Sequence, residues 1–389
     1  MVLRGFGTTI FAEMSALALE TGSINLGQGF PDTDGPAAML ERAVEGIRNG
    51  ENQYPPGLGM LSLREAIAEH RDAHYGLSYD PGSEILVTVG ATEAISAAVL
   101  GLCDPGDEVV VFEPYYDSYA ATIALAGAVR RPVSLRPDGS GRFGFDIDEL
   151  RAAVTERTRV VLLNSPHNPT GTVLSRVELE AIAAVCVDHD LTIITDEVYE
   201  HLTYDGTEHI PIATLPGMRE RCVAISSAGK SFSVTGWKIG WVCAPPPLLR
   251  AVNTVKQFLT YTHNPAMQQA VAYALRNEMQ WVRDLRDSLQ QRRDQLATGL
   301  EQIGMRVTRP QGTYFIQADV RPLGTSDGEK FARDLPRLAG VVGIPTAVFC
   351  DTPDVGGPFV RFAFCKRPEV IDAAVQRLAS VAANVAPSS

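Results

Sequence analysis

The sequence has no apolar run able to cross a bilayer. Its longest weakly polar stretch, residues 94–103, falls well short of the roughly 20 residues that a spanning helix needs. It also lacks an excess of positive charge: 34 Lys+Arg against 46 Asp+Glu leave a net −12. That balance argues against a nucleic-acid or anionic-membrane partner, though not against a small anion in a local basic pocket. Cysteines are few and unpaired in spacing. The six, at 103, 186, 222, 243, 350 and 365, form no C-x-x-C, so they read as reduced thiols in a cytoplasmic protein rather than disulfides or a zinc site. There is no repeat and no low-complexity segment. A secretory leader is not expected, because Glu13 and Glu20 interrupt the early apolar residues.

What is present is a large apolar complement, 45% of 389 residues, enough for two or three domains at about 150 residues each. An amphipathic stretch covers residues 9–19. From residue 83 short apolar runs alternate with helix-compatible text: ILVTV (85–89), VVVF (109–112), RVVLL (159–163), LTIIT (191–195) and CVAIS (222–226). Continuous apolar strands separated by helices predict an α/β fold with a mostly parallel sheet covered on both faces. Residues 265–303 carry one long helical pattern with a charged middle, RDLRDSLQQRRDQ, which reads as a solvent-exposed connector. TYFIQADV, GVVGIPTAVF and FVRFAF then suggest a smaller α+β unit.

Open parallel sheets bind ligands beyond the carboxyl ends of their strands. Gly90-Ala91-Thr92 follows the first strand and opens a helix, a phosphate-binding arrangement of backbone N–H groups at the positive dipole end. Asn164, His167 and Asn168 follow the RVVLL strand. Asp196 and Tyr199 follow LTIIT, and Ser227 and Lys230 follow CVAIS. Together these can hold a phosphorylated, nitrogenous aromatic cofactor. Asp196 can keep a pyridine nitrogen protonated, Asn168 and Tyr199 can bind a ring hydroxyl, and Ser227 and Lys238 can add to the phosphate site. Lys230 can form a Schiff base, since a lysine out of water or near other cations has a lowered pKa.

The segments SPHNPTG, TDEVYE and SSAGKSFSVTGWKIGW resemble those of class I aminotransferases, pyridoxal-phosphate enzymes of fold type I. The likeness runs from NLGQGFPD (25–32) to VRFAFCK (360–366). QYPPGLG, VTVGATEAI and DEVYEHL are most similar to the branch that holds N-succinyldiaminopimelate, kynurenine and glutamine aminotransferases. The resemblance implies that pyridoxal 5'-phosphate is held by Lys230, with Asp196 on its pyridine nitrogen and Asn168 and Tyr199 on its ring oxygen. It implies that Tyr116 stacks on the ring and that Ala91, Thr92, Ser227 and Lys238 form the phosphate cup. Tyr54 would reach that cup from a neighbouring subunit, so a homodimer is expected. Arg361 would bind the substrate α-carboxylate, where a bidentate fork suits a planar anion, with Gly29 and Asn168 beside it. The expected organisation is an N-terminal arm and part of the small domain (1–47), a large cofactor domain (48–285) and the rest of the small domain (286–389). The expected reaction is ping-pong amino transfer between an L-amino acid and a 2-oxo acid.

Other readings of these residues stand beside these. Asp196 can serve as a helix cap, Asn168 as a turn residue, and Arg361 as a solvated charge on an alternating strand. Tyr115 competes with Tyr116 for the stacking role. Glu197, Glu200 and His201 have ligand-type spacing, but H-E-x-x-H is absent and no metal is expected. LGQGFPD lacks the third glycine of a dinucleotide fingerprint. His263 is a candidate for the substrate entrance. Arg142, Arg309 and Lys256 are the available cations for a distal substrate carboxylate, with no signal placing them in the pocket. Rival functions are another chemistry on the same cofactor, such as β-elimination, and a non-catalytic regulator. The regulator reading lacks a basic DNA-binding extension ahead of residue 25.

Overall fold

The computed structural model describes residue 3 and residues 6–385. Helix α1 (Ile10–Thr21) starts at Thr9, whose hydroxyl caps Ala12 N–H, and ends at Gly22 in the left-handed conformation. Then come α2 (Ala37–Arg48) and α3 (Leu61–Tyr75). The alternating region gives β1 (Ile85–Val89), α4 (Gly90–Leu102), β2 (Glu108–Glu113), α5 (Asp117–Leu125), β3 (Val129–Ser134), β4 (Thr158–Asn164), α6 (Arg176–Asp188), β5 (Thr192–Asp196), β6 (Cys222–Ser227) and β7 (Ile239–Cys243).

These strands form one sheet in the order β1-β7-β6-β5-β4-β2-β3. Strand β7 runs antiparallel to both its neighbours, while the pairs from β6 to β3 are parallel. Alternate residues of each strand enter different cores. Val87, Val110, Val161 and Ile193 pack on one face, and Leu86, Val109, Val160 and Ile194 on the other. Burial on both faces explains why the strands read as unbroken apolar runs. Strand β3 escaped the apolar pattern because it is an edge: Arg130 and Arg131 leave it to pair with Asp351 and Glu108, and Pro132 is tolerated there.

The long helical pattern divides in two. Helix α7 (Pro265–Asn277), capped by Asn264, ends at Glu278, where φ −111° and ψ 16° break the helix; α8 (Met279–Gln302) follows. The break lets α7 bury Ala270, Val271 and Ala274 against the large sheet while α8 sends Leu285, Leu289 and Leu296 into a second core. The charged middle of α8 is also not wholly a solvated face. Arg292 and Arg293 are buried, Arg293 pairing with Asp205 and Arg292 donating to the Lys366 carbonyl.

That second core surrounds an antiparallel sheet of β8 (Arg306–Thr308), β9 (Phe315–Asp319), β10 (Ile344–Pro345) and β11 (Phe359–Ala363), in the order β8-β9-β11-β10. The N-terminal segment joins it: Ile24 and Asn25 pair in parallel with Val341 and Val342, and Met14 and Ala18 of α1 pack on Ile344 and Phe349. Helix α2 behaves differently. Its Met39 and Ala43 belong to the core of the large sheet, although both lie inside the range 1–47 expected for the arm and part of the small domain. Residues 1–2, 4–5 and 386–389 of the expected ranges lie outside the described residues. No helix among the described residues is long and apolar enough to cross a membrane.

Candidate active site

A cavity of about 350 Å³ opens where the carboxyl ends of the large sheet meet β9 and β11. It is lined by Gly29, Ala91, Thr92, Tyr116, Asn168, Asp196, Tyr199, Ser227, Lys230, Lys238 and Arg361. Of the expected site residues only Tyr54 is elsewhere. It is 84% exposed, lies edge-on to Tyr261, and lines a separate surface hollow with His263. His263 bonds the Trp237 carbonyl at 2.8 Å, so it does not line this chain's cavity. The other cations weighed for a distal carboxylate are engaged away from it. Arg142 pairs with Glu178, Arg309 with Glu301, and Lys256 donates to the Gly57 carbonyl.

Strand register sets the acid and the amide side by side. Asn164 and Asp196, the last residues of β4 and β5, are paired partners. The Asn164 side chain donates to the Asp196 carbonyl at 2.8 Å and accepts from the Asn168 N–H at 2.7 Å, which locks the loop bearing Asn168. The Asp196 carboxylate accepts from the Tyr119 hydroxyl at 2.6 Å and from Val198 N–H at 3.3 Å. Burial pushes its pKa up, while these donors and the Lys230 charge pull it back. Tyr119 has no counterpart among the sequence expectations. Its only sequence signal is its place one helical turn beyond Tyr116, at the start of α5. Of the adjacent pair, Tyr116 lines the cavity and hydrogen-bonds Thr92, whereas Tyr115 is core.

Ser227 ends β6 and precedes the single turn Ala228–Ser231 that carries Lys230. The Lys230 amine donates to the Tyr314 hydroxyl at 2.9 Å and faces the Gly29 carbonyl at 3.5 Å. The Tyr314 proton goes to that same carbonyl at 2.5 Å, so the phenol oxygen is left to accept from Lys230. Burial lowers the Lys230 pKa to about 8, with Asp196 raising it and Lys238 and Arg361 lowering it. Tyr314 was legible only as part of a strand; its role comes from long-range packing. A Cβ on Gly29 would lie 2.4 Å from Phe315, so this position accepts only glycine while the loop stays this close.

Close backbone approach also shapes the helix terminus. A Cβ on Gly240 of β7 would stand 2.5 Å from the Gly90 carbonyl carbon, and Gly90 itself has φ +72°. This lets β7 pass directly beneath the first turn of α4. Lys238, at φ +56°, lays its side chain along Gly90. An ammonium group and the N-terminal turn of α4 therefore converge on one end of the cavity.

At the other end Arg361 is 1% exposed, which excludes the solvated-charge reading. One terminal nitrogen donates to Asn168 Oδ1 at 3.0 Å and the other to the Gly27 carbonyl at 2.9 Å, while Nε is buried without a hydrogen-bond partner. Its ring neighbours are Phe315, Phe349 and Phe11, at 4.0, 5.1 and 5.3 Å. Burial lowers its pKa to about 10, so it stays charged at neutral pH. Both its acceptors are neutral, so this buried cation awaits an anion.

A doubly covered sheet whose strand ends gather a lysine, a carboxylate and two anion sites is the architecture of a fold type I enzyme, and the comparisons agree. Residues 21–378 match the family described as aminotransferase class I and II, and the chain belongs to that family. It is 54% identical over 388 residues, 98% of each chain, to the probable N-succinyldiaminopimelate aminotransferase DapC of Mycobacterium tuberculosis. The solved structure of that organism's N-succinyldiaminopimelate aminotransferase superposes with a TM-score of 0.96 at 55% identity, covering 98% of this chain and 99% of that one. Escherichia coli methionine aminotransferase is 41% identical, covering 97% of this chain and 96% of its own. Mouse kynurenine–oxoglutarate transaminase 3 is 38% identical, covering 96% and 88%. The protein is a pyridoxal-phosphate-dependent transaminase acting on small-molecule amino acids and 2-oxo acids.

The cavity suits that cofactor on its own geometry. It presents a helix N-terminus with Lys238 for a phosphate, a buried carboxylate for a ring nitrogen, and a buried amine of lowered pKa. The amine gives a pH prediction. Only neutral Lys230 attacks an aldehyde, so capture of added cofactor by cofactor-free protein should accelerate about tenfold per pH unit up to pH about 8 and then level. A stopped-flow pH series reads this directly; a rate still climbing toward pH 10 would show an ordinary lysine.

Proposed function

We propose that the chain is an N-succinyldiaminopimelate aminotransferase of lysine and diaminopimelate biosynthesis. The observation that carries this is the 54% identity, at full coverage, to the mycobacterial relative of that description. Bound pyridoxal phosphate supplies an electron sink that makes the substrate Cα proton removable. The protein's residues do the rest. Lys230 would hold the cofactor, and its Nζ, once free, would move the proton at the substrate Cα. Asp196, braced by Tyr119 and Asn164, holds the ring nitrogen's proton. Asn168 and Tyr199 orient the ring oxygen, and Tyr116 covers the ring face. Ala91, Thr92, Ser227 and Lys238 fix the phosphate. Lys238 is a point charge rather than a fork, so the N–H groups of α4 carry the directionality. Arg361 holds the substrate α-carboxylate between Asn168 and Gly27, with the Gly29 loop closing beside it.

A purified-enzyme screen of half-reactions with N-succinyl-diaminopimelate, kynurenine, methionine, glutamine and glutamate tests the substrate. Fastest conversion of the succinylated diamino acid supports the assignment. Preference for another donor overturns it and leaves the cofactor roles intact. One observation favours a second reading, a kynurenine, glutamine or methionine aminotransferase with β-lyase side activity. Among the described lining residues the cations are Lys230, Lys238 and Arg361, all committed to the roles above, while Phe11, Phe30 and Phe315 supply aromatic walls.

Arg361→Gln is expected to lower kcat/KM roughly 100-fold or more while the bound-cofactor spectrum persists, as expected for loss of one partner of a buried ion pair. Steady-state kinetics with spectral titration check it.

A homodimer is part of the proposal. Exposed Tyr54 and Tyr261, packed edge-on beside the Tyr54 hollow, support an aromatic face that a second chain would cover. Sedimentation of active enzyme should show two chains; a fully active monomer would contradict it. The large unit would run from α2 to the start of α8, with α1, the β-pairing at Ile24 and the C-terminal elements forming the small unit. A cytoplasmic location is also part of the proposal, supported by the six free cysteines, five of them buried.

A further inference from the structure

Behind the cavity, away from its lining, lies a cluster of histidines that the transaminase reaction does not use. Two of them, His70 and His74, stand one turn apart on α3, a spacing that puts both imidazoles on one helix face. The third, His201, follows the tight turn after β5. The rings close a triangle with centroids 4.5 Å (His70–His74), 4.9 Å (His70–His201) and 5.2 Å (His74–His201) apart. Nε2 of His70 and Nε2 of His201 approach to 2.7 Å. Ligand atoms of His70, His201 and the Glu200 carboxylate all lie within 4.8 Å of one another.

We propose that His70, His74 and His201, with the Glu200 carboxylate behind them, form a binding site for a zinc ion that ties α3 to the turn after β5.

Several observations converge on a cation. Tetrahedral zinc with Zn–N near 2.0–2.1 Å sets imidazole nitrogens about 3.3 Å apart and ring centroids about 5 Å apart. The three ring centroids stand at about that spacing; the Nε2 atoms of His70 and His201 would part by roughly half an ångström, and the His74 ring and the Glu200 carboxylate would turn in toward the ion. Arg71 pairs with both Glu197 and Glu200, at 2.8 and 3.1 Å, while His209 faces Glu197 at 3.5 Å and the Ser226 hydroxyl donates to Glu200 at 2.5 Å. Among the described residues Arg71 is thus the one permanent cation paired with these two buried carboxylates. Nδ1 of His70 is buried without a hydrogen-bond partner, so no protein acceptor at that nitrogen fixes this ring in its present orientation. His74, exposed at the mouth, gives the ion a path from solvent. Imidazole with one carboxylate suits zinc better than magnesium or calcium. Sequence spacing alone pointed to Glu197, Glu200 and His201 and dismissed them; the helix partners come from some 130 residues earlier, which no local motif displays.

The test titrates chelator-treated holoenzyme with zinc chloride against a chromophoric competitor. The expected result is one equivalent per chain, bound at least tenfold more weakly by His74→Gln and lost in His201→Gln, with the cofactor spectrum unchanged. Cobalt substitution of the unmutated enzyme provides a readout independent of any variant, namely the intense visible bands of a four-coordinate site. Absence of stoichiometric zinc, equal affinity in His74→Gln, or a six-coordinate cobalt spectrum would overturn the proposal.

Discussion

Lys230→Ala protein should lose the absorbance of lysine-bound cofactor and turn over about 10⁴-fold more slowly or worse, while still folding and still binding the cofactor's phosphate. The size follows from the double duty proposed for one amine, the covalent link to the cofactor and the transfer of the Cα proton. The structure explains why no neighbour substitutes. Lys238 is directed along Gly90 toward the helix terminus, and Arg361 is fixed by Asn168 and the Gly27 carbonyl. The Tyr314 phenol, 2.9 Å from Nζ, has its proton committed to Gly29. Small primary amines added to the variant should restore part of the turnover, because the site keeps its shape and lacks only the base. Normal turnover in Lys230→Ala would remove the mechanism.

Asp196→Asn should lower kcat roughly 10²–10³-fold, the cost of losing one member of a buried charged pair. The exchange keeps the side chain's size and one of its two acceptor oxygens, so that either the Tyr119 hydroxyl bond or the Val198 N–H bond survives. It also separates two readings of the same residue. Asn caps a turn as well as Asp does, so a merely structural Asp196 would leave kcat unchanged. A residue that keeps a ring nitrogen protonated cannot lose its charge without loss of rate. Single-turnover kinetics would locate the fall in the proton-transfer step, with the lysine-bound cofactor still visible in the spectrum.

How much of this was legible in the text differs from residue to residue. Asp196, Ser227 and Lys230 could be read because strands β5 and β6 are short apolar runs buried on both faces, and whatever follows such a run stands at the ligand edge of the sheet. Tyr119, Asn164 and Tyr314 gained roles only through tertiary contacts. Asn164 acts through its register partner and Tyr314 through the Gly29 loop, 285 residues away in sequence. The pattern at 265–303 misled for a related reason. Helical periodicity does not record which of two cores each turn faces, and the break at Glu278 exists because the cores differ.

By itself the sequence determined the alternation of buried strands and helices, the turn chemistry at their ends, and residue types suited to a phosphorylated pyridine. These are local properties, set by period and by the residue following each strand. Only the tertiary structure decided that Arg361 is a buried, unneutralised cation, that burial lowers the Lys230 pKa to about 8, and that Tyr54 stands outside its own chain's cavity. Desolvation and the meeting of distant segments set these properties, and neither is written in any window of the chain.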